Sequence, residues 1–218
     1  MTAARRRASE TPLTRERIVK TALEIVDRDG LKALSMRRLG SELGTDPMAM
    51  YYHIPNKEAL LDGIVEAVMA DIDVAVDDPS APAEERILAA AREYRDTLLA
   101  HRNALPILLS RGPSTPVALR PVELLISILR DSGLAPAQAM AGMNAIASTV
   151  RGMVGMIQGE ELPTPQSAEA AQQFAATFPA DEFPNLLEAA RYPVDYLDTH
   201  FDFGIRSLAR GLLGSAGG

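Results

Sequence analysis

Side chains able to do chemistry on a substrate are few in this chain, and they do not gather. His53, His101 and His200 are its only imidazoles, and it has no cysteine, so thiol chemistry and disulfides are excluded. The sequence holds no P-loop, no GxGxxG, no GxSxG and no HExxH, and no Glu-x-x-His pair supports a carboxylate-bridged metal. The expectation is therefore no enzyme, no metal and no cofactor. What is concentrated is positive charge. Up to Lys57, eleven Lys/Arg stand against seven Asp/Glu, which leaves that segment at +4 and the rest at −11. Arg5, Arg6 and Arg7 lead it, suited to phosphates or to a minor groove. A basic head on an acidic body fits a DNA-binding module joined to something else.

The elements that would present this charge lie between Ser35 and Lys57. Ser35 is a good N-cap, since its hydroxyl can accept from the free N–H groups of a helix start. Met36, Leu39 and Leu43 repeat at helical spacing, and Gly44 ends the helix by taking the left-handed conformation at low cost. Asp46 caps the next helix, and Pro47 stands at its first position, where a missing N–H loses nothing. That second helix runs through Met50 and Tyr52 until Pro55 stops it, and Asn56 caps a third. Two short helices joined by a Gly turn form a helix-turn-helix, whose second helix can enter a major groove. Thr14 caps a first long helix with Ile18, Ala22, Ile25 and Val26 on one stripe, closed by Gly30. It must fold back on the two short helices, with Tyr51 and Ile54 helping to fill the centre.

The remainder reads as all-α. From Asn56, Leu60, Leu61, Ile64, Val65, Val68, Met69, Ile72 and Val76 keep a helical pattern, so a helix over 56–76 links the head to the second half. The run DDPSAP at 77–82 marks the boundary between a domain of residues 1–76, with a tail over 1–12, and one of residues 77–218. Further helices are expected over 83–101, 116–130, 135–158 and 194–213, with a short one near 167–177, and Pro106 interrupts an apolar segment. The 135–158 helix is rich in Gly, Ala and Met, which suits close helix approach and irregular packing. No apolar run reaches the ~20 residues of a membrane span. Without a secretory leader, a cytoplasmic protein is expected.

The stretches LTRERIVKTALEIVDRDGLKALSMRRLGSELG and AMYYHIPNKEALLDGIV resemble the DNA-binding head of TetR-family transcriptional repressors. The order of a long helix, Asp-Gly, a capped short helix, Leu-Gly, Tyr-Tyr-His, Asn-Lys-Glu and Leu-Leu covers about the first third of the chain. LLAHRNALPILLSRGP and the late FDFGIRSLARGL are similar to the C-terminal domain of the tetracycline-repressor subgroup. The resemblance implies a repressor that binds a palindromic double-stranded operator as a homodimer. It further implies a C-terminal domain that takes a small effector and dimerises through a four-helix bundle built from 135–158 and 194–213.

The resemblance also implies site residues. It places Pro47, Met48 and Ala49 against base edges and makes Tyr51, His53 and Lys57 phosphate contacts, with Tyr52 beside them. A Pro-Met-Ala tip suits thymine methyls, so polar readout falls to Arg37 or Arg38. Candidates for the effector pocket are Tyr94, Leu108, Arg111, Asn144, Met153, Met156 and Gln158. Leu108 stands where the tetracycline-binding members have a metal-ligating His, and Met156 stands near the place of their acidic residue. A mostly apolar effector bound without a metal is therefore expected. Two other readings are an effector-blind regulator and a helical interaction protein with a remnant head. Against an enzymatic reading, His101, at a helix end before Arg102 and Asn103, is expected to be a helix cap or a core residue rather than a catalyst.

Overall fold

Thr14 begins helix α1, Arg15–Asp29, by accepting from the Arg17 N–H at 3.2 Å, and Gly30 at φ 80° ends it. The structure is a computed structural model, and it describes residues 12–157, 168–189, 191–192 and 198–216. A turn of 3-10 helix at Leu31–Ala33 carries the chain into α2, Met36–Leu43, capped by Ser35 accepting from the Arg38 N–H. Gly44, at φ 67° and ψ 30°, takes the left-handed conformation that closes α2. Asp46 then accepts from the Met48 N–H at 2.8 Å and starts α3, Pro47–Met50. This second helix is shorter than expected. It ends at Met50, and Tyr51–His53 form a turn.

Asn56 caps α4, Lys57–Ala70, and here the structure corrects the expected 56–76 helix. The helix stops at Ala70. Asp73 accepts from the Ala75 N–H at 2.8 Å and begins a separate 3-10 turn, Val74–Val76. A short acidic side chain that binds nearby backbone N–H groups competes with helix continuation. The apolar periodicity persists across the break because Ile72 is still buried.

The second half consists of α5 Ala83–Ala100, α6 Leu105–Ser110, α7 Arg120–Asp131, α8 Pro136–Ile157, α9 Ala168–Ala175, α10 Pro184–Ala189 and α11 Thr199–Gly214. Pro106 does not interrupt α6. It sits in its first turn, where no intrahelical N–H is needed. Helix α7 begins at Arg120 rather than at 116, because residues 116–119 are a turn before Pro121. The starts of the two expected late helices and the tail over 1–11 lie outside the described residues. No strand occurs among the described residues, and none of their helices is long and apolar enough to cross a membrane.

One continuous apolar core runs from Ile18 in α1 to Ala209 in α11. In the head, α1 packs across α4 and α2. Gly63 makes the first crossing possible, since a Cβ there would lie 2.6 Å from Val19 Cγ2. In the body, α8 packs on α7, α5 and α11. Helix α11 is also tied to α5 by charge. Arg206 reaches Glu84 and Glu85 at 2.9 and 2.6 Å, Arg210 reaches Glu84 at 2.8 Å, and Arg92 pairs with Asp202. The hydrogen bonds from Arg210 and Arg206 lower the Glu84 pKa from its ordinary 4.5 to about 2.

Two outcomes follow from this packing. Gly63→Ala should destabilise the protein by about 1–3 kcal/mol in chemical denaturation, as overpacking does, and Val19→Ala should partly restore it. The Glu84 contribution is complete above pH 4.5 and is lost as pH falls towards 2, because its folded pKa is the lower one. Thermal melts between pH 5 and pH 2 should therefore fall more steeply for the wild type than for Glu84→Gln.

Candidate DNA interface and effector cavity

The helix-turn-helix owes its close crossing to Gly40. A Cβ at that position would lie 3.0 Å from the Thr45 carbonyl oxygen and 3.2 Å from Pro47 Cγ. The two helices therefore meet through backbone and ring, which fixes the angle at which α3 leaves the head. Leu39, Leu43, Met50 and Ile54 are buried beneath it. What remains outside is Met48 at 68% exposure, Tyr51 at 40% and Tyr52 at 92%, with His53 and Lys57 exposed beside them and Pro47 and Ala49 half-buried. Tyr51 thus stands on the surface and does not fill the head. Ile54 and Met50 do.

The two arginines of α2 differ. Arg38 is half-buried and pairs with Asp29 and, at 3.4 Å, with Glu42. Arg28 joins the same cluster, 2.8 Å from Asp29 and 2.6 Å from Glu42, and its hydrogen bond holds the Asp29 carboxyl below the usual carboxylate range. Arg38 therefore fastens α2 to α1. Arg37 is exposed and makes no ion pair among the described residues.

A cavity of about 280 Å³, partly open to solvent, lies between α4, α5, α6, α7 and α8. Its wall is mostly apolar, from Val65, Met69 and Ile72 through Leu108, Val122 and Leu125 to Met143 and Ile146. Tyr94, Leu108, Arg111 and Asn144 all line it. Met153 and Met156 do not. Met153 Cε packs where a Cβ on Gly204 of α11 would lie, and Met156 is exposed. Gln158 lies outside the described residues. Burial raises the Tyr94 pKa, and the nearby Arg151 charge opposes the shift.

Two polar joints fasten the body to the head, the first of them through the cavity wall. At the first, Arg111 reaches back to α4, where it pairs with Glu58 and lies 2.6 Å from Asp62. Its partners are thus the head's own carboxylates, one of them next to Lys57. At the second, the His101 ring stands between two elements. Its Nδ1 is 2.8 Å from Asp27 of α1, and its Nε2 is 3.3 Å from Asp71 at the end of α4. Asn103 donates to the Asp27 carbonyl at 2.8 Å, and Asp27 Oδ1 is buried with no partner among the described residues. His101 is thus more than a helix cap. Sequence reasoning missed Glu58, Asp62, Asp27 and Asp71. Glu58 and Asp62 did leave a signal, because two acids four apart share one helix face and call for a cation.

Residues 18–64 match the family described as bacterial regulatory proteins, tetR family, and residues 78–215 match the tetracyclin repressor-like C-terminal domain. An HTH-type transcriptional regulator of Saccharopolyspora erythraea is 31% identical over 209 residues, spanning 94% of this chain and 86% of that protein. The tetracycline repressor protein class C of Escherichia coli is 30% identical over 77% of each. ActR of Streptomyces coelicolor, solved in complex with actinorhodin, is 32% identical, with a TM-score of 0.81 over 95% of this chain and 100% of that one. With both halves matched in order over a helix-turn-helix head and a cavity-bearing helical body, the chain belongs to the TetR family of DNA-binding transcriptional regulators.

Proposed function

We propose that the chain is a homodimeric repressor of a palindromic operator, working in the cytoplasm and released when a small, mostly apolar effector enters the cavity without a metal. The observation that carries this reading is Arg111. It lines the cavity and is ion-paired to Glu58 and Asp62 on the helix that begins at Lys57. A ligand that shifts the cavity wall therefore acts directly on the DNA-reading head. Release follows only if the effector binds the non-DNA arrangement better than the DNA-bound one. ActR, whose structure holds actinorhodin, supports a ligand-sized cavity in this fold. Leu108 in the wall supplies no metal-ligating group.

The dimer is supported by two exposed faces. On α8, Ala137, Ala141, Ser148, Gly152 and Gly155 are exposed at helical spacing, and on α11 Phe203, Ser207, Gly211 and Gly214 are exposed. Small residues allow close packing, and Phe203 at 73% exposure offers an apolar contact, as a four-helix bundle requires. Two heads related by a two-fold axis then meet half-sites about one helical turn apart. In each head Met48 and Ala49 meet thymine methyls, Arg37 supplies polar readout, and Tyr51, Tyr52, His53 and Lys57 contact phosphates.

The direct test is a gel shift and footprint on the chain's own promoter region, with and without candidate compounds. A palindromic footprint lost on adding a compound is expected. Binding that never responds would mark an effector-blind regulator, and no binding at all would leave an interaction protein. Arg37→Ala should weaken operator binding about tenfold or more and relax selectivity, whereas Arg38→Ala should lower head stability and leave base preference intact. Uracil in place of a contacted thymine should cost about fourfold, the ~0.8 kcal/mol of one methyl-sized group. Gly40→Ala should reduce operator affinity far more than it lowers the melting temperature, because it tilts α3 against Thr45 and Pro47.

A further inference from the structure

Four charged side chains line the cavity: Asp73, Glu93, Arg111 and Arg151. Three of them are committed within the fold. Arg111 is held by Glu58 and Asp62. Glu93 Oε1 accepts from the Asp73 N–H at 3.0 Å, and Asp73 Oδ1 accepts from the Ala75 N–H, so both acids hold the Val74–Val76 turn in place. Arg151 is different. It is half-buried, its Nε donates to the Ala147 carbonyl of its own helix at 3.2 Å, and no carboxylate answers it among the described residues. Tyr94 lines the same cavity, and its hydroxyl has no partner among the described residues.

A half-buried guanidinium and a half-buried phenol thus line the same, mostly apolar wall with N–H and O–H donors that open onto the cavity and that no described side chain takes up. Both groups donate, and the guanidinium cannot lose its proton. A carboxylate is acceptor-only and matches the planar guanidinium with two parallel bonds. A carboxamide of the same shape offers one acceptor and turns an N–H group towards donors. We propose that the effector is an apolar acid, its anionic group held by Arg151 and Tyr94 and its hydrocarbon body by the cavity wall. This rests on the cavity being the effector site.

The test uses the full-length protein and three matched series built on naphthalene, biphenyl and anthracene skeletons. Each skeleton is tried as the carboxylate, the carboxamide and the aminomethyl compound, with binding measured by calorimetry at pH 7. For the skeletons that fit, the acid should bind at least about tenfold tighter than the amide, and the amine should bind weakest. Arg151→Met should remove the acid's advantage while leaving amide affinity in place, Arg151→Lys should keep part of it, and Tyr94→Phe should reduce it. Equal affinity of acid and amide in the wild type overturns the proposal, needing no variant to fold, and so does tighter binding of the amine. A preference that survives in folded Arg151→Met overturns the assignment to Arg151. If no compound of any series binds, the cavity reading fails together with the proposal. If acids bind selectively but never release DNA, the ligand class stands and the effector reading falls.

Discussion

The pairing of Arg111 with Glu58 and Asp62 ties the cavity wall to the helix-turn-helix head. Glu58 and Asp62 lie four residues apart on α4, so without Arg111 two negative charges would face one another on one helix surface. The guanidinium relieves that repulsion and also forms part of the cavity wall. The guanidinium is mostly covered while its partners face solvent, so the contact joins the cavity wall to the exposed flank of α4. An apolar contact at the same place would hold the halves together without responding to what enters the cavity.

The joint at His101 has the same character. Asp27, Asp71 and Asn103 converge there from three elements, and one oxygen of Asp27 goes without a partner among the described residues. The head is held to the body by two polar clusters over a continuous apolar core.

Much of this was legible in the sequence, and the reasons differ by place. The caps Thr14, Ser35, Asp46 and Asn56 and the turn at Gly44 act through their own backbone neighbours, so local chemistry located them. The core residues of α1 followed from periodicity alone. The end of α4 did not, because Ile72 and Val76 continue the apolar pattern while Asp73 breaks the hydrogen bonding. Arg37 and Arg38 look identical in sequence, and only partners on α1 separate them. The cavity wall was half legible. Tyr94 and Leu108 lie on apolar stripes, but whether Met153 turns towards α7 or towards Gly204 depends on where α11 packs. Long-range ion pairs such as Arg111–Asp62 leave no local trace beyond an unexplained charge.

The break after Ala70 has a mechanical meaning. An unbroken helix from Lys57 to Val76 would be a rod, and it would carry axial pushes from body to head. With the helix ended and a short turn in its place, axial thrust is lost at the bend. On the release mechanism proposed above, force would reach the head sideways, through side chains bearing on the flank of α4 near its start. The helix would then work as a crank pivoting near Asp71, a small sideways shift at Asp62 swinging Lys57 and the residues just before it.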